Sequence, residues 1–395
     1  MKRYDVTHRG QAGVARRLLI GALGLVLGAG CVDPRNDPDD DAVDSTAAAR
    51  HGGRSGRALF MDETFDGNGR TCATCHGRES GTLAPAEVAA RFAADPDDPL
   101  FRPLDSDDGA GGSYDRLRTF ATVNVTLPLP GNVHIVERPG ATSVTVARAI
   151  PTVRNVALEP VLMLDGREAD LADQAIGAVH AHFENTDEPT AVEAERIARF
   201  ERELFSSDEL ERYAEHGHPP PRLPLGRTAS ERRGRTFFVD GPRGLCAQCH
   251  GGPMLNLTTA RNIVQPAGSR FSTAFVSELN HPGNPVLTYV FDLPDGRTIT
   301  MVSPDPGRGL ATGNPCDDVT TVCNDVTALA LFKIPTLFGI GATAPYFHDS
   351  SARTFEDVVD HYEIYFQLTA LRDNAPEFIL TPQDKADIVA YLRLL

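Results

Sequence analysis

The chain of 395 residues has no tryptophan, and aromatic residues of all kinds make up only 7% of it. Any relay or stacking site built on an indole is therefore excluded. Methionine is scarce, at positions 1, 61, 163, 254 and 301, so a thioether ligand could come only from those places. Positive charge is short as well. The 38 Lys and Arg face 54 Asp and Glu, a net charge of −16, which argues against nucleic acid as a partner. Long apolar runs are missing. The run "LLIGALGLVLGAG" at 18–30 has thirteen residues, too few to cross a bilayer as a helix, and no other segment could span a membrane.

What is present begins at that run. Lys2, Arg3, Arg9, Arg16 and Arg17 precede it, against one acid, Asp5, and small residues end it. This is the layout of an export signal over residues 1–30. "LGAGC" resembles a bacterial lipoprotein box with Cys31 as the lipidated first residue, although Gly28 stands where a larger apolar residue is usual. The plainer alternative is an ordinary signal with an unmodified cysteine. Residues 31–50, with "DPRNDPDDDAVD" at 33–44, read as an acidic, disordered tether. Without the signal the chain has 33 basic and 53 acidic residues, a net charge of −20, which favours a basic protein partner over an acidic one.

The seven cysteines divide cleanly. Cys31 is the lipid site. Cys316 and Cys323, in "NPCDDVTTVCND", read as a disulfide closing a short loop in an oxidising compartment. The other four lie in "RTCATCHGRE" and "GLCAQCHGGP": Cys72, Cys75 and His76, then Cys246, Cys249 and His250. CxxCH in an exported protein signals covalent c-type haem attachment. Each thiol adds to a haem vinyl group, and the adjacent histidine turns under the ring as proximal iron ligand. A zinc site would want its knuckles closer together or a further histidine pair, and a redox dithiol would not need a histidine directly after it, twice.

The flanks repeat too. "GRALF" (56–60) precedes the first motif and "GRTFF" (234–238) the second, with "TASE" (228–231) as a capping box. Residues 189–216 and 381–395 read as helices, the latter capped by Thr381 with Pro382 in its first turn. The expectation is a mainly α chain with two cytochrome-c-like haem domains, 51–225 and 226–395. Two insertions interrupt them: a Gly-, Pro- and Asp-rich segment at about 81–145, and one at about 253–330. The second contains a β-hairpin signal around Asp295 and Gly296 in "TYVFDLPDGRTITMV".

With the two haem motifs, the segments "PTVRNVALEPVLMLDGREADLADQAIGAVHAHFENT" (151–186) and "KIPTLFGIGATAPYFHDSSARTFEDVVDHYE" (333–363) resemble the bacterial diheme cytochrome c peroxidase family, which includes MauG. The likeness covers most of residues 50–395. It implies a peroxide site at the N-terminal haem and an electron relay at the C-terminal one. It implies catalysis by Glu184, as acid and base on peroxide, with Gln174 beside it. Moving a proton from the near to the far peroxide oxygen suits a carboxylate in a mostly apolar pocket; the bland alternative for Glu184 is a solvated helix-end acid. The resemblance also implies a calcium ion between the haems, held largely by backbone carbonyls, at Thr343 and Pro345, although Ala149 stands where asparagine is usual.

Three positions depart from the family pattern. Leu164 replaces the tryptophan between the haems, Phe338 the arginine after "PTL", and Ala178 the proline of the distal pocket. No methionine lies in the helix after "FHD", where classical members place the distal ligand of the second haem; the aligned residue is Tyr362. Phe355, Val358, Val359 and Tyr362 share one apolar helix face, and His361 lies about 100° away. Tyr362 is therefore expected to face inward; a plain core tyrosine is the commoner fate of such a residue, but the resemblance implies that it binds iron, and a tyrosine oxygen should lower the haem potential. At the first haem, His134 is a candidate reversible ligand, although a surface histidine is the plainer reading. His348 is expected near the haems without binding them, and His180 and His182 near Glu184 without a role.

The resulting expectation is reduction of H₂O₂ with electrons from a small cytochrome or cupredoxin, on a membrane-anchored exported protein. Two alternatives stand beside it. One is a MauG-like high-valent oxidase of a protein or organic substrate; the other is an electron-transfer cytochrome without catalysis.

Overall fold

In the computed structural model, helix α1 (Gly56–Asp62) starts at Ser55, whose side chain accepts the Ala58 amide. It leads into the first motif as the single turn α2 (Cys72–Cys75). The structure describes residues 53–395 except 216–217, 263–264, 280–282, 317–322, 326 and 374–377. The expected signal, tether and Cys31 lie outside the described residues.

The segment after the first motif is more regular than its composition suggested. Pro85 in the first turn opens α3 (Pro85–Ala94), and α4 (Asp115–Phe120) follows. Both bury single apolar positions, Val88 and Leu117, in a core with Leu83, Leu100, Phe101 and Val123, and Cys75 packs against it. Part of this presumed insertion therefore walls the first motif. Strands β1 (Thr122–Pro128), β2 (Val133–Ile135) and β3 (Ser143–Ala149) come next. Then come α5 (Leu171–His182), α6 (Ala191–Glu201) and α7 (Asp208–Ala214). The stretch expected as one helix over 189–216 is thus two, because Ser207 caps a new helix start.

In the C-terminal half α8 (Ala229–Arg235) carries the expected Thr228–Glu231 capping box. Beyond the second motif lie β4 (Phe271–Ser272), β5 (Leu287–Asp292), β6 (Thr298–Ser303), α9 (Arg308–Thr312) and β7 (Phe332–Lys333). The chain closes with α10 (Phe355–Asp373) and α11 (Pro382–Leu392), the latter boxed by Thr381 and Asp384.

Among the described residues there are three sheets: the β1–β3 pair is local, and the other two, one of them β4 with β7, join distant segments. β1 pairs antiparallel with β3. β5 pairs with both β6 and β2, so the first presumed insertion and the expected hairpin share one three-stranded sheet. Their inward residues make one core of Val125, Ile135, Val146, Tyr289, Phe291 and Met301 with their neighbours. The bonded pair Cys316–Cys323, Cα atoms 5.6 Å apart, lies at its edge.

The repeated "GR" flanks have a structural cause. A methyl group on Gly56 would strike the Arg196 carbonyl oxygen on α6, and one on Gly234 would strike the Asp387 carbonyl oxygen on α11. In each half the helix before the motif crosses a later helix in backbone contact. Phe60 and Phe65 pack with Val179 and Ile197 in one half, and Phe237 and Phe238 with Ile388 and Tyr391 in the other. The described residues belong to one compact unit.

A buried charge cluster ties the segment after the first core to the rest. Arg148, 2% exposed, meets Asp165 at 2.6 Å and Asp305 at 2.7 Å, both of them almost fully buried. Asp165 also holds Arg167 at 2.8 Å. Burial alone would raise the Asp165 carboxyl, but the two guanidiniums outweigh it and hold it below its usual value.

Candidate functional site

The two CxxCH segments build the same local device. His76 Nδ1 donates to the Gly81 carbonyl at 2.8 Å, and His250 Nδ1 donates to the Leu255 carbonyl at 2.8 Å. Each ring spends Nδ1 on backbone five residues on and keeps Nε2 for a metal. Such a bond fixes both tautomer and ring orientation. Burial pushes both imidazoles towards the neutral, metal-binding form, His250 down to about 4.

The state of the thiols bears on which group the motifs suit. Cys72, Cys75, Cys246 and Cys249 form no disulfide. Burial drives all four up, Cys75 to about 11 and Cys246 to about 12. A redox dithiol needs the opposite shift. Zinc needs a fuller ligand set, and among the described residues no group of three or more His, Cys, Asp or Glu side chains is arranged to hold a metal ion.

Haem suits both places. Each offers two free thiols and an anchored imidazole. Apolar walls are at hand, with the Phe60 ring 6.1 Å from that of His76. Buried polar atoms without partners lie beside both motifs. Glu201 Oε2 is one, on a residue whose charge is felt at Cys72. The two amide atoms of Gln265 are others; its backbone is held by Asn262, which donates to Cys249 Sγ at 3.1 Å. Such orphaned groups are costly and await a group the chain does not supply.

Around the first motif the chain positions a carboxylate. Glu184 lies just past α5 in the left-handed region, with φ of 48°. Asn68 Nδ2 donates to Glu184 Oε2 at 2.9 Å and to the His182 carbonyl at 3.1 Å, while the Asn68 amide donates to the Phe183 carbonyl at 2.7 Å. Gly67 permits this approach, since a methyl group there would strike the Phe183 carbonyl. The loop entering Cys72 is thus zipped to residues 182–184, and Glu184 is brought to the motif, solvent-exposed. Gln174 and Ala178 sit half-buried one turn apart on α5. His182 is pushed down to about 4 by burial, with Asp105 opposing. His180 is a surface group 3.4 Å from Glu188.

Around the second motif α10 presents Tyr362. Burial raises its hydroxyl, and Cys249, Cys246 and Tyr365 add to that. Tyr362 is therefore within electrostatic reach of both sulfurs. His361 is not turned to solvent. It is 6% exposed and donates from Nε2 to the Ala274 carbonyl at 2.7 Å. Tyr362, half-buried, packs against the cluster that holds Phe275, next to the Ala274 that His361 meets.

The remaining expected residues scatter. His134 is exposed on β2, 3.8 Å from Asp292. His348 stacks on Phe332 at 3.7 Å between centroids and meets Ser277 Oγ at 3.1 Å. Leu164 is half-buried and its carbonyl accepts the Lys333 amide at 2.7 Å. The Phe338 carbonyl accepts the Asn155 side chain. Thr343 turns its hydroxyl to the Ile340 carbonyl at 3.1 Å.

Sequence reasoning missed Asn68, Glu201 and Gln265. The "DGNGR" turn directly before the first motif was the available signal for Asn68. A buried carboxyl inside the amphipathic helix α6 has no such mark.

Comparison with known proteins bears on this geometry. Residues 54–211 match the family model described as di-haem cytochrome c peroxidase. The methylamine utilization protein MauG of Methylophilus methylotrophus is 25% identical over 281 residues, 65% of this chain and 70% of that one. A solved MauG-like protein associated with microbial copper homeostasis is 20% identical, over 90% of each chain, with a TM-score of 0.46. The diheme peroxidase BthA of Burkholderia thailandensis is 18% identical, over 88% of this chain and 85% of the other, with a TM-score of 0.46.

Proposed function

Because the chain belongs, through residues 54–211, to the di-haem cytochrome c peroxidase family of oxidoreductases, we propose that it reduces hydrogen peroxide to water with electrons from a cytochrome c or cupredoxin. Two cytochrome-c-like haem domains carry this reading, with thioethers at Cys72 and Cys75 and at Cys246 and Cys249. His76 and His250 are the proximal ligands, through Nε2. Bound haem would supply the redox centre at which the O–O bond breaks.

The observation that carries the assignment is the difference between the two motifs. The first has a carboxylate, Glu184, held beside it by Asn68. The second has Tyr362 within electrostatic reach of its sulfurs. In this reading the first place works on a small substrate and the second is ligated from both sides. Glu184 takes the proton from the near peroxide oxygen and returns it to the far one, and Gln174 offers an amide to orient the substrate. Each turnover consumes two protons and two electrons and yields two waters.

Tyr362 favours a second reading, a MauG-like oxidase that acts at a distance on a protein or organic substrate, since a tyrosine ligand stabilises oxidised iron. Calcium between the haems would rest on the carbonyls of Thr343 and Pro345; neither accepts a hydrogen bond among the described residues. Export and lipidation at Cys31 would put the protein on a membrane facing the periplasm or cell exterior.

Rapid mixing with a small excess of H₂O₂, on the fully oxidised and half-reduced forms side by side, tests the proposal. A fast spectral change that is lost in Glu184→Gln establishes peroxide chemistry. A response of the fully oxidised form selects the MauG-like reading, and a response only after half-reduction selects the peroxidase. No response in either form leaves an electron carrier.

A further inference from the structure

The two proximal histidines are held alike, but the carbonyls that hold them are not equally easy to place. Gly81, which anchors His76, has φ of 67°, at no steric cost for glycine. Leu255, which anchors His250, has φ of 55° and is 4% exposed. A leucine in the left-handed region is strained and persists only where its surroundings over-determine it.

The loop's own bonds are the mutual pair between Gly251 and Leu257, with Gly251 donating at 2.8 Å and Leu257 at 3.2 Å, and the bond from the Leu255 amide to the Gly252 carbonyl at 3.3 Å. The further tie comes from the N-terminal half. Asn256, next to Leu255 and 2% exposed, donates from Nδ2 to Glu159 Oε1 at 3.0 Å. The other carboxylate oxygen of Glu159 meets Lys333 Nζ at 3.3 Å, with both side chains largely buried. Lys333 Nζ also donates to the Val161 carbonyl at 3.2 Å, and its amide to the Leu164 carbonyl at 2.7 Å. Glu159 is thus itself fixed, through Lys333, to the segment that runs on to the buried Asp165.

We propose that Glu159 is a positioning residue for the second haem: through Asn256 it keeps Leu255 in its strained conformation and so keeps the Leu255 carbonyl on His250 Nδ1. The N-terminal half thereby sets the donor strength of the C-terminal proximal ligand. A hydrogen bond from Nδ1 makes an imidazole a stronger donor, so weakening it disfavours ferric iron and raises the potential of that centre alone. This rests on the haem reading of the CxxCH motifs.

Asn256→Leu and Glu159→Gln cut or weaken the tie at its two ends, and Asn256→Leu leaves the Glu159–Lys333 pair in place. Two readouts on the full-length holoprotein test the idea. Amide hydrogen exchange of residues 251–257 should accelerate by about tenfold in Asn256→Leu, the scale of one hydrogen bond to a charged group, and by less in Glu159→Gln. Spectroelectrochemistry should show the second haem shifted to higher potential in both variants, with the first haem unmoved as internal control. Adding Leu255→Gly to Asn256→Leu should restore the potential, because glycine needs no clamp. Unchanged exchange in the loop overturns the proposal whatever the cofactor. Faster exchange with an unmoved second potential overturns the link to His250. A wild-type protein without covalent haem by mass would instead sink the functional reading.

Discussion

Gly234 lies against the carbonyl oxygen of Asp387 with no room for a methyl group between them. α8 and α11 cross there in backbone contact, as α1 and α6 do at Gly56 and Arg196. The carbonyl belongs to a helix and cannot swing aside. Gly234→Ala must push the helices apart and loosen Phe238 from Tyr391, whose ring centroids are 5.2 Å apart. Overpacking of this kind costs about 1–3 kcal/mol. Urea titrations of Gly234→Ala and Gly56→Ala should each show that loss, and wild-type midpoints would mean the crossings are looser than drawn.

Tyr362→Phe removes one oxygen and keeps the ring in its aromatic cluster with Tyr365 and Phe366. If that oxygen binds the second haem, the variant should show a changed spectrum and a raised potential at that haem alone. His361 cannot substitute, since its Nε2 is spent on the Ala274 carbonyl. An unchanged spectrum would remove Tyr362 from the ligand set.

Part of the local structure was legible in the chain. CxxCH is a compact signal because attachment needs both thiols and the imidazole within five positions. The capping boxes at Thr228 and Thr381, and the hairpin around Gly296, were equally local. What stayed hidden was non-local. No periodicity announces that β2 pairs with β5 across some 150 residues of chain, or that Asn68 reaches Glu184. The charge set of Arg148, Asp165 and Asp305 looks like three ordinary surface residues until the fold buries them. The offset of His361 from Tyr362 gave no sign that His361 too is buried.

Glu201 offers a test by pH. It is 4% exposed, and burial raises its carboxyl to about 8, with only Arg202 opposing. The unfolded chain would titrate near ~4.3, so the folded protein holds this proton more tightly. The stability this provides is complete below about pH 4 and is lost as pH rises towards 8. Glu201→Gln keeps the shape but cannot ionise. Its urea midpoint should match wild type at the acid end and exceed it increasingly towards about pH 8. Parallel curves across that range would show that Glu201 ionises without penalty in the folded state.

The sheet core built from both presumed insertions depends on a short staple. Cys316, 7% exposed, packs in that core and is bonded to Cys323 seven residues on. Closing so small a loop restricts the unfolded chain by about 2.5 kcal/mol. Replacing both cysteines by serine should therefore destabilise this core, and a buried hydroxyl at position 316 adds to the loss. The haem motifs draw their packing from other clusters, so their spectra should survive. Hydrogen exchange would separate the two effects: β5 and β6 should exchange faster in the double variant while α8 and α11 keep their protection. Equal acceleration everywhere would mean that the sheet and the haem halves unfold as one cooperative unit.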